Sequence, residues 1–187
     1  NLKAFIRRVF KEGRVVLNEE ESDRFLTTYG IPTIKSEISR DVGDAISIAK
    51  YIGYPVALKI ASPDIIYRTD VGGVVTGIHS EDDLRKEFEG LKERAKKRAP
   101  KAKIAGVSVQ KSVEKIDYEI FLGEKKDKDF GSVIVLGIGG LGVQVFKEFS
   151  IGLPPLNQAL ARRLIEETEV YKMIQGYGRK PPADLRQ

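Results

Sequence analysis

Apolar residues recur at helical spacing through much of the first half of the chain and gather into short extended runs in the second. Asn18 before Glu19, Glu20 and Glu21 predicts a helix start, a capping side chain followed by acids at the positive end of the dipole. Phe25, Leu26 and Tyr29 supply its apolar face, and Gly30 with Pro32 ends it. After an extended stretch, Thr33–Ser39, Asp41 caps a second helix in which Val42, Ala45, Ile46, Ala49 and Ile52 recur, with Gly53 as the stop. Pro55 opens a strand, Val56–Ala61, apolar on both faces apart from Lys59, and Gly72 with Gly73 leads into another, Val74–Ile78. Ser80 and Asp83 begin a long helix bearing Leu84, Phe88, Leu91 and Ala95, closed by Pro100.

From Ile104 the pattern predicts strands at Ile104–Gln110, Tyr118–Leu122, Ser132–Leu136 and Val143–Phe146. One last helix, roughly Gln158–Ile174, starts from Asn157 and carries Leu160, Leu164 and Ile165, and the tail from Gly176 is loop-like. The order β-α-β-β-α precedes Gly106, and strands with one helix follow it, so the division is expected there. The fold class this implies is α/β, or α+β, in two subdomains.

Composition narrows the function classes. The 187 residues suffice for one domain or two small ones, and 41% hydrophobic content is that of a globular chain. No apolar run is long enough to cross a bilayer, and no secretory pattern follows the basic N-terminal stretch, so a cytoplasmic location without a membrane partner is expected. The absence of cysteine excludes disulfides, thiolate metal sites and cysteine nucleophiles. The net charge of +5 admits a nucleic-acid or a phosphate ligand. The basic cluster Lys92–Lys103 has no interleaved aromatics and reads as a solvated face, which argues against nucleic acid.

Lys59 draws attention because a lysine within an apolar strand is costly to bury unpaired. It either snorkels at a sheet edge or aims its ammonium at a phosphate. Eight residues on, Tyr67-Arg68-Thr69-Asp70-Val71-Gly72-Gly73-Val74 is either a plain turn or an anion loop, with glycine amides and the donors of Arg68 and Thr69. A lysine on one strand and a glycine loop leading into the next favour the phosphate reading. Gly137-Ile138-Gly139-Gly140-Leu141-Gly142 formally contains G-x-G-x-x-G, but the strand-like residues after it do not make the helix a dinucleotide fingerprint needs. His79, the sole histidine, stands just before a helix cap as a surface residue. Glu119, Asp127 and Asp129 are either an acid–base pair or hairpin charges.

Taken in register, a series of strings resembles the beta subunit, or fused ATP-grasp region, of ADP-forming acyl-CoA synthetases, relatives of succinyl-CoA synthetase. They are Tyr29-Gly30-Ile31-Pro32, Ile52–Ile60, Ser62–Ile66, Asp70–Val74, Gly106–Gln110, Phe130-Gly131, Gly137–Gly140, Gly176-Tyr177 and Pro181–Asp184. The resemblance implies an ATP-grasp fold whose two subdomains clamp a nucleotide: residues 18–105 as one, residues 1–17 and 106–187 as the other. It implies ATP or ADP as ligand, Mg2+ as the accompanying ion, and phosphoryl transfer through a phosphohistidine. That histidine would lie on a CoA-binding alpha subunit or domain, making a hetero-oligomer. Carried over, Lys59 would hold the phosphates. Arg68, Thr69, Asp70, Gly72 and Gly73 would form the loop over them, Val109, Gln110 and Lys111 the hinge beside adenine, and Glu119 the acidic residue past it.

Three features depart from the family pattern. The loop opens with Tyr67-Arg68-Thr69 where the family usually has His-Lys-Ser, and tyrosine does not accept phosphate as histidine does. Gln144 stands where a glutamate is usual. The family's magnesium ligands, an Asn-Pro pair and a later aspartate, come beyond the position of Gln187, so they are not found here. These departures support the alternative of an ATP-grasp-like domain that binds nucleotide or a partner without turnover.

Overall fold

The computed structural model describes residues 2–140 and 148–184. The chain divides into two compact units, Asn1–Glu114 and Lys115–Gln187. In the first, helices α1 (Leu2–Lys11) and α2 (Glu19–Thr28) precede strand β1 (Ser36–Ser39), helix α3 (Val42–Ile52), strands β2 (Val56–Ala61) and β3 (Val74–Ile78), helix α4 (Glu81–Arg98) and strand β4 (Gly106–Lys111). The sheet order is β1-β4-β2-β3, and every neighbouring pair is antiparallel.

Alternation along the two inner strands separates the sheet's faces. Val56, Leu58 and Ile60 of β2 and Val107 and Val109 of β4 point into a core with Ala45, Ile46 and Ala49 of α3 and Leu84, Phe88, Leu91 and Ala95 of α4. Each large side chain removed from water there contributes about 1.5–3 kcal/mol. The opposite face carries Ala57 and Lys59, which stand across from Gln110 and Ser108 of β4.

The predicted helix caps form as read: Asn18, Asp41 and Ser80 each accept a backbone N–H in the first turn of α2, α3 and α4. Helix α1 was not anticipated. Its Leu2, Ile6 and Val9 recur three to four residues apart, a short signal among Lys3, Arg7 and Arg8. The expected division near Gly106 also moves, because β4 is hydrogen-bonded on both edges within the first sheet and the second unit begins after it. Residues 1–17, expected with the second unit, likewise belong to the first.

In the second unit, strands β5 (Ile120–Asp127), β6 (Gly131–Ile138) and β7 (Phe149–Gly152) form an antiparallel sheet in that order. Helices α5 (Gln158–Glu166) and α6 (Glu169–Ile174) follow. The single helix expected over Gln158–Ile174 is therefore two. Glu167 caps the end of the first and Thr168 the start of the next, its hydroxyl donating to Ile165 O at 2.6 Å and accepting from Tyr171 N at 3.1 Å. The expected strand Val143–Phe146 lies outside the described residues, as do Gly142 and Gln144.

Candidate functional site

The site begins at Lys59. β2 lies between β4 and β3, so Lys59 is not at a sheet edge. Its ammonium is paired instead. Nζ donates to Gln110 Oε1 at 2.8 Å and to Glu19 Oε1 at 3.0 Å. The register explains the first contact, since Lys59 faces Ser108 and Gln110 is the diagonal neighbour on the same face. Glu19 comes from the first turn of α2, and its other oxygen accepts from Arg68 Nη1 at 3.2 Å. One carboxylate thus bridges two cations, with about a sixth of its side chain exposed and about a quarter of each cation's.

The start of α2 is held in turn. Asn18 and Glu21 form a reciprocal capping box. Arg14 grips the Glu21 carboxylate with two bonds of 2.7 Å, which lowers the Glu21 pKa from its ordinary value to about 2. Ser108, opposite Lys59, is fully buried, and its hydroxyl has no hydrogen-bond partner among the described residues.

The loop from Tyr67 to Val74 is fastened from both sides. Gly72 N donates to Thr69 O at 3.0 Å and Gly73 N to Arg68 O at 2.7 Å, so the glycine amides expected to face an anion are used within the loop. Gly72 sits at φ +64°, in the left-handed region that glycine tolerates best. A Cβ on Gly73 would lie 2.6 Å from Ile60 Cγ2, which is why the loop can close against β2 only with glycine there. From α4, Arg94 Nε donates to Gly72 O at 3.2 Å and Arg98 Nη1 to Asp70 O at 3.1 Å. Tyr67, Thr69 and Asp70 are exposed.

The other expected residues separate. Val109 is fully buried in the α3–α4 core, so its side chain faces away from Lys59. Lys111 donates to Gly53 O at 2.9 Å and Tyr54 O at 2.7 Å, fastening the turn before β2. Glu119 belongs to the second unit, where its carbonyl accepts from Gly139 N at 2.8 Å. Asp127 accepts from Asp129 N at 2.9 Å and Phe130 N at 3.0 Å, and Asp129 pairs with Lys128. Glu119 precedes one end of the β5–β6 hairpin and these two acids close the other, so they are hairpin charges and not an acid–base pair with it. His79 is exposed beside Glu114 at 3.3 Å.

Structure thus assembles Lys59, Arg68 and Gln110 from the sequence candidates and adds Glu19 and Ser108, which sequence reasoning missed. Glu19 looked like one of three interchangeable acids at a helix start, and only tertiary packing selects the one that crosses to β2. Two cations converging on one anion make a place suited to a phosphate. Among the described residues no group of three or more histidine, cysteine, aspartate or glutamate side chains stands close enough to hold a metal ion. No described helix is long and apolar enough to cross a membrane.

Residues 8–187 match the family described as ATP-grasp domain. The chain belongs to that family. It is 33% identical over 180 residues to the beta subunit of acetate–CoA ligase [ADP-forming] II from Pyrococcus furiosus, covering 96% of this chain and 76% of that one. It is 37% identical over 183 residues to the 4-hydroxybutyrate–CoA ligase [ADP-forming] of Nitrosopumilus maritimus, covering 98% of this chain. The chain spans only about a quarter, 26%, of that longer relative. Among solved structures, acetyl-coenzyme A synthetase 1 of Ca. Korarchaeum cryptofilum, in complex with coenzyme A, Ca-AMPCP and HgCl+, superposes with a TM-score of 0.93 at 31% identity. The match covers 100% of this chain and 81% of that one. The ATP-grasp fold expected from the sequence is therefore the fold observed, and the chain corresponds to the ATP-grasp part of ADP-forming acetyl-CoA synthetases.

Proposed function

We propose that Lys59 and Arg68 hold the phosphates of ATP or ADP, and that the chain is the nucleotide-handling part of an ADP-forming acyl-CoA synthetase. The observation that carries this reading is the convergence of both cations on the Glu19 carboxylate, 3.0 and 3.2 Å away. A nucleotide bound there supplies the phosphoryl group for transfer. Lys59 and Arg68 would neutralise its negative charge, and Gln110 would keep the Lys59 ammonium on its side of the sheet. Catalysis of this kind is positioning and charge stabilisation, with little covalent chemistry asked of the protein. The acceptor would be a histidine on a CoA-binding partner subunit or domain, and with a separate subunit the active species would be a hetero-oligomer. The loop over the phosphates would be Thr69, Asp70, Gly72 and Gly73, with the hinge backbone at Val109, Gln110 and Lys111 and with Glu119 beyond it.

Among the described residues no three acidic or histidine side chains gather to hold an ion by themselves, and magnesium would be held largely by the nucleotide's own phosphates. Calorimetric titration with ATP tests the site. Lys59→Ala is expected to weaken binding by about tenfold or more, as loss of a charge-assisted contact implies, and an unchanged affinity would refute the assignment. A second reading, binding without turnover, is favoured by the exposed Tyr67 where the family usually has histidine. ATP formation from acyl-CoA, ADP and phosphate, after assembly with a CoA-binding partner, decides between the two.

A further inference from the structure

The carboxylate that Lys59 and Arg68 share at the proposed phosphate site is that of Glu19, a residue of the first turn of α2. We infer that Glu19 is a built-in competitor, an internal carboxylate that occupies the phosphate position between Lys59 and Arg68 until the nucleotide displaces it. This rests on the phosphate-site reading given above.

The geometry is that of a stand-in ligand. Oε1 accepts from Lys59 and Oε2 from Arg68, so the two oxygens satisfy the two cations separately, as two phosphate oxygens would. Without a counter-ion, two partly buried positive groups facing one point would repel each other and lose solvation. Glu19 removes that cost in the ligand-free chain. Lys59 keeps a second acceptor in Gln110 Oε1 at 2.8 Å, so it stays in place when the carboxylate leaves.

The backbone beneath Glu19 does not have to move for this. The capping box of Asn18 with Glu21, and the paired bonds from Arg14 to Glu21, anchor the helix start on either side of Glu19. Displacement is then a swing of one side chain about its own torsions, fast compared with helix or domain motion. An incoming triphosphate carries more charge and more acceptor oxygens than one carboxylate, so it wins the exchange. Its affinity is nevertheless lowered by whatever Glu19 contributes to the empty site.

Glu19→Gln separates a competitor from a merely structural residue, because the two predict opposite signs. The amide keeps the size and one acceptor but loses the charge. Titration of the full chain with ATP, and separately with inorganic tripolyphosphate, is expected to show binding about fivefold or more tighter than in the unaltered chain. The melting temperature of the ligand-free variant is expected to fall by about 2–4 °C, the shift that corresponds to about 1 kcal/mol in a chain of this size. Tighter binding together with lower intrinsic stability supports the proposal. Unchanged or weaker binding in a folded Glu19→Gln variant overturns it, since Glu19 would then position Lys59 and not compete for it. If neither the unaltered chain nor the variant binds ATP or tripolyphosphate, the phosphate-site reading itself falls, and this proposal falls with it.

Discussion

Two glycine-ended turns invite comparison, the loop Tyr67–Val74 that leads into β3 and the turn Asp127–Gly131 that joins β5 to β6. Both contain aspartate, and both include a glycine with positive φ, Gly72 at +64° and Gly131 at +74°. The hairpin turn is closed by its own residues. The Asp127 carboxylate accepts two amides within three positions, and the strands on either side are in continuous register. The loop before β3 is closed partly by its own amides and partly from far along the chain: Glu19 holds Arg68, Arg94 holds Gly72 O and Arg98 holds Asp70 O. A turn that needs only local bonds is a connection. A turn tied to a cation cluster and to a neighbouring helix has its conformation coupled to whatever those groups bind, which is the property a phosphate loop requires.

The sharpest way to break this contrast is at Gly73. In Gly73→Ala the added Cβ meets Ile60 Cγ2 at 2.6 Å and Arg68 O at 3.0 Å. Forcing an atom into a packed position typically costs about 1–3 kcal/mol, and urea unfolding should show it. Gly131→Ala, where a Cβ would find open space, should cost less, limited to the strain of its positive φ. Equal losses at the two glycines would remove the distinction between the turns.

A smaller effect is expected for Arg94→Ala, which removes a long-range tie to the loop. One net hydrogen bond is worth about 0.5–1.5 kcal/mol. Amide exchange should quicken over residues 67–74 and stay unchanged over residues 127–131; uniform acceleration in both would contradict the long-range hold.

The anchor beneath Glu19 can be read by pH. The Glu21 pKa is lowered from 4.5 to about 2 chiefly by its bonds with Arg14. Its ionised form therefore adds stability that is fully present above pH 4.5 and is lost as pH falls through about 2. Arg14→Ala should return Glu21 towards the ordinary carboxylate range in an NMR titration, and a Glu21 still titrating near 2 would show that the capping box alone suffices.

Smallest of all is the effect at Asp127, a surface carboxylate lowered below its ordinary value by the amides of Asp129 and Phe130. Its contribution is present above the usual aspartate range and disappears as pH falls through the lowered value. The Asp129 and Phe130 amide shifts should follow that titration while those of Gly72 and Gly73 do not. A common titration would tie the two turns to one event.

Much of the first unit was legible before any coordinates. The caps at Asn18, Asp41 and Ser80, the core positions of α3 and α4, and the odd placement of Lys59 all follow from short-range pattern, because a helix start or a buried strand face is written within a few residues. Thr168 shows where that reasoning overran. A threonine inside an apolar helical rhythm looks continuous, and only its hydroxyl's hydrogen bonds reveal the break.

The sequence by itself also determined the family, since the ordered strings from Tyr29 to Asp184 carry it and residues 8–187 match it. What only the tertiary structure decided is which groups meet. Lys59 and Glu19 are 40 positions apart, Arg68 and Glu19 are 49, and Lys59 and Gln110 are 51. Val109 and Gln110 are neighbours in sequence, yet strand alternation buries one in the core and turns the other to Lys59. Local spacing specifies a residue's element and face. The choice of partner depends on strand order and helix placement, and these are settled by burial of the whole core and not by any one segment.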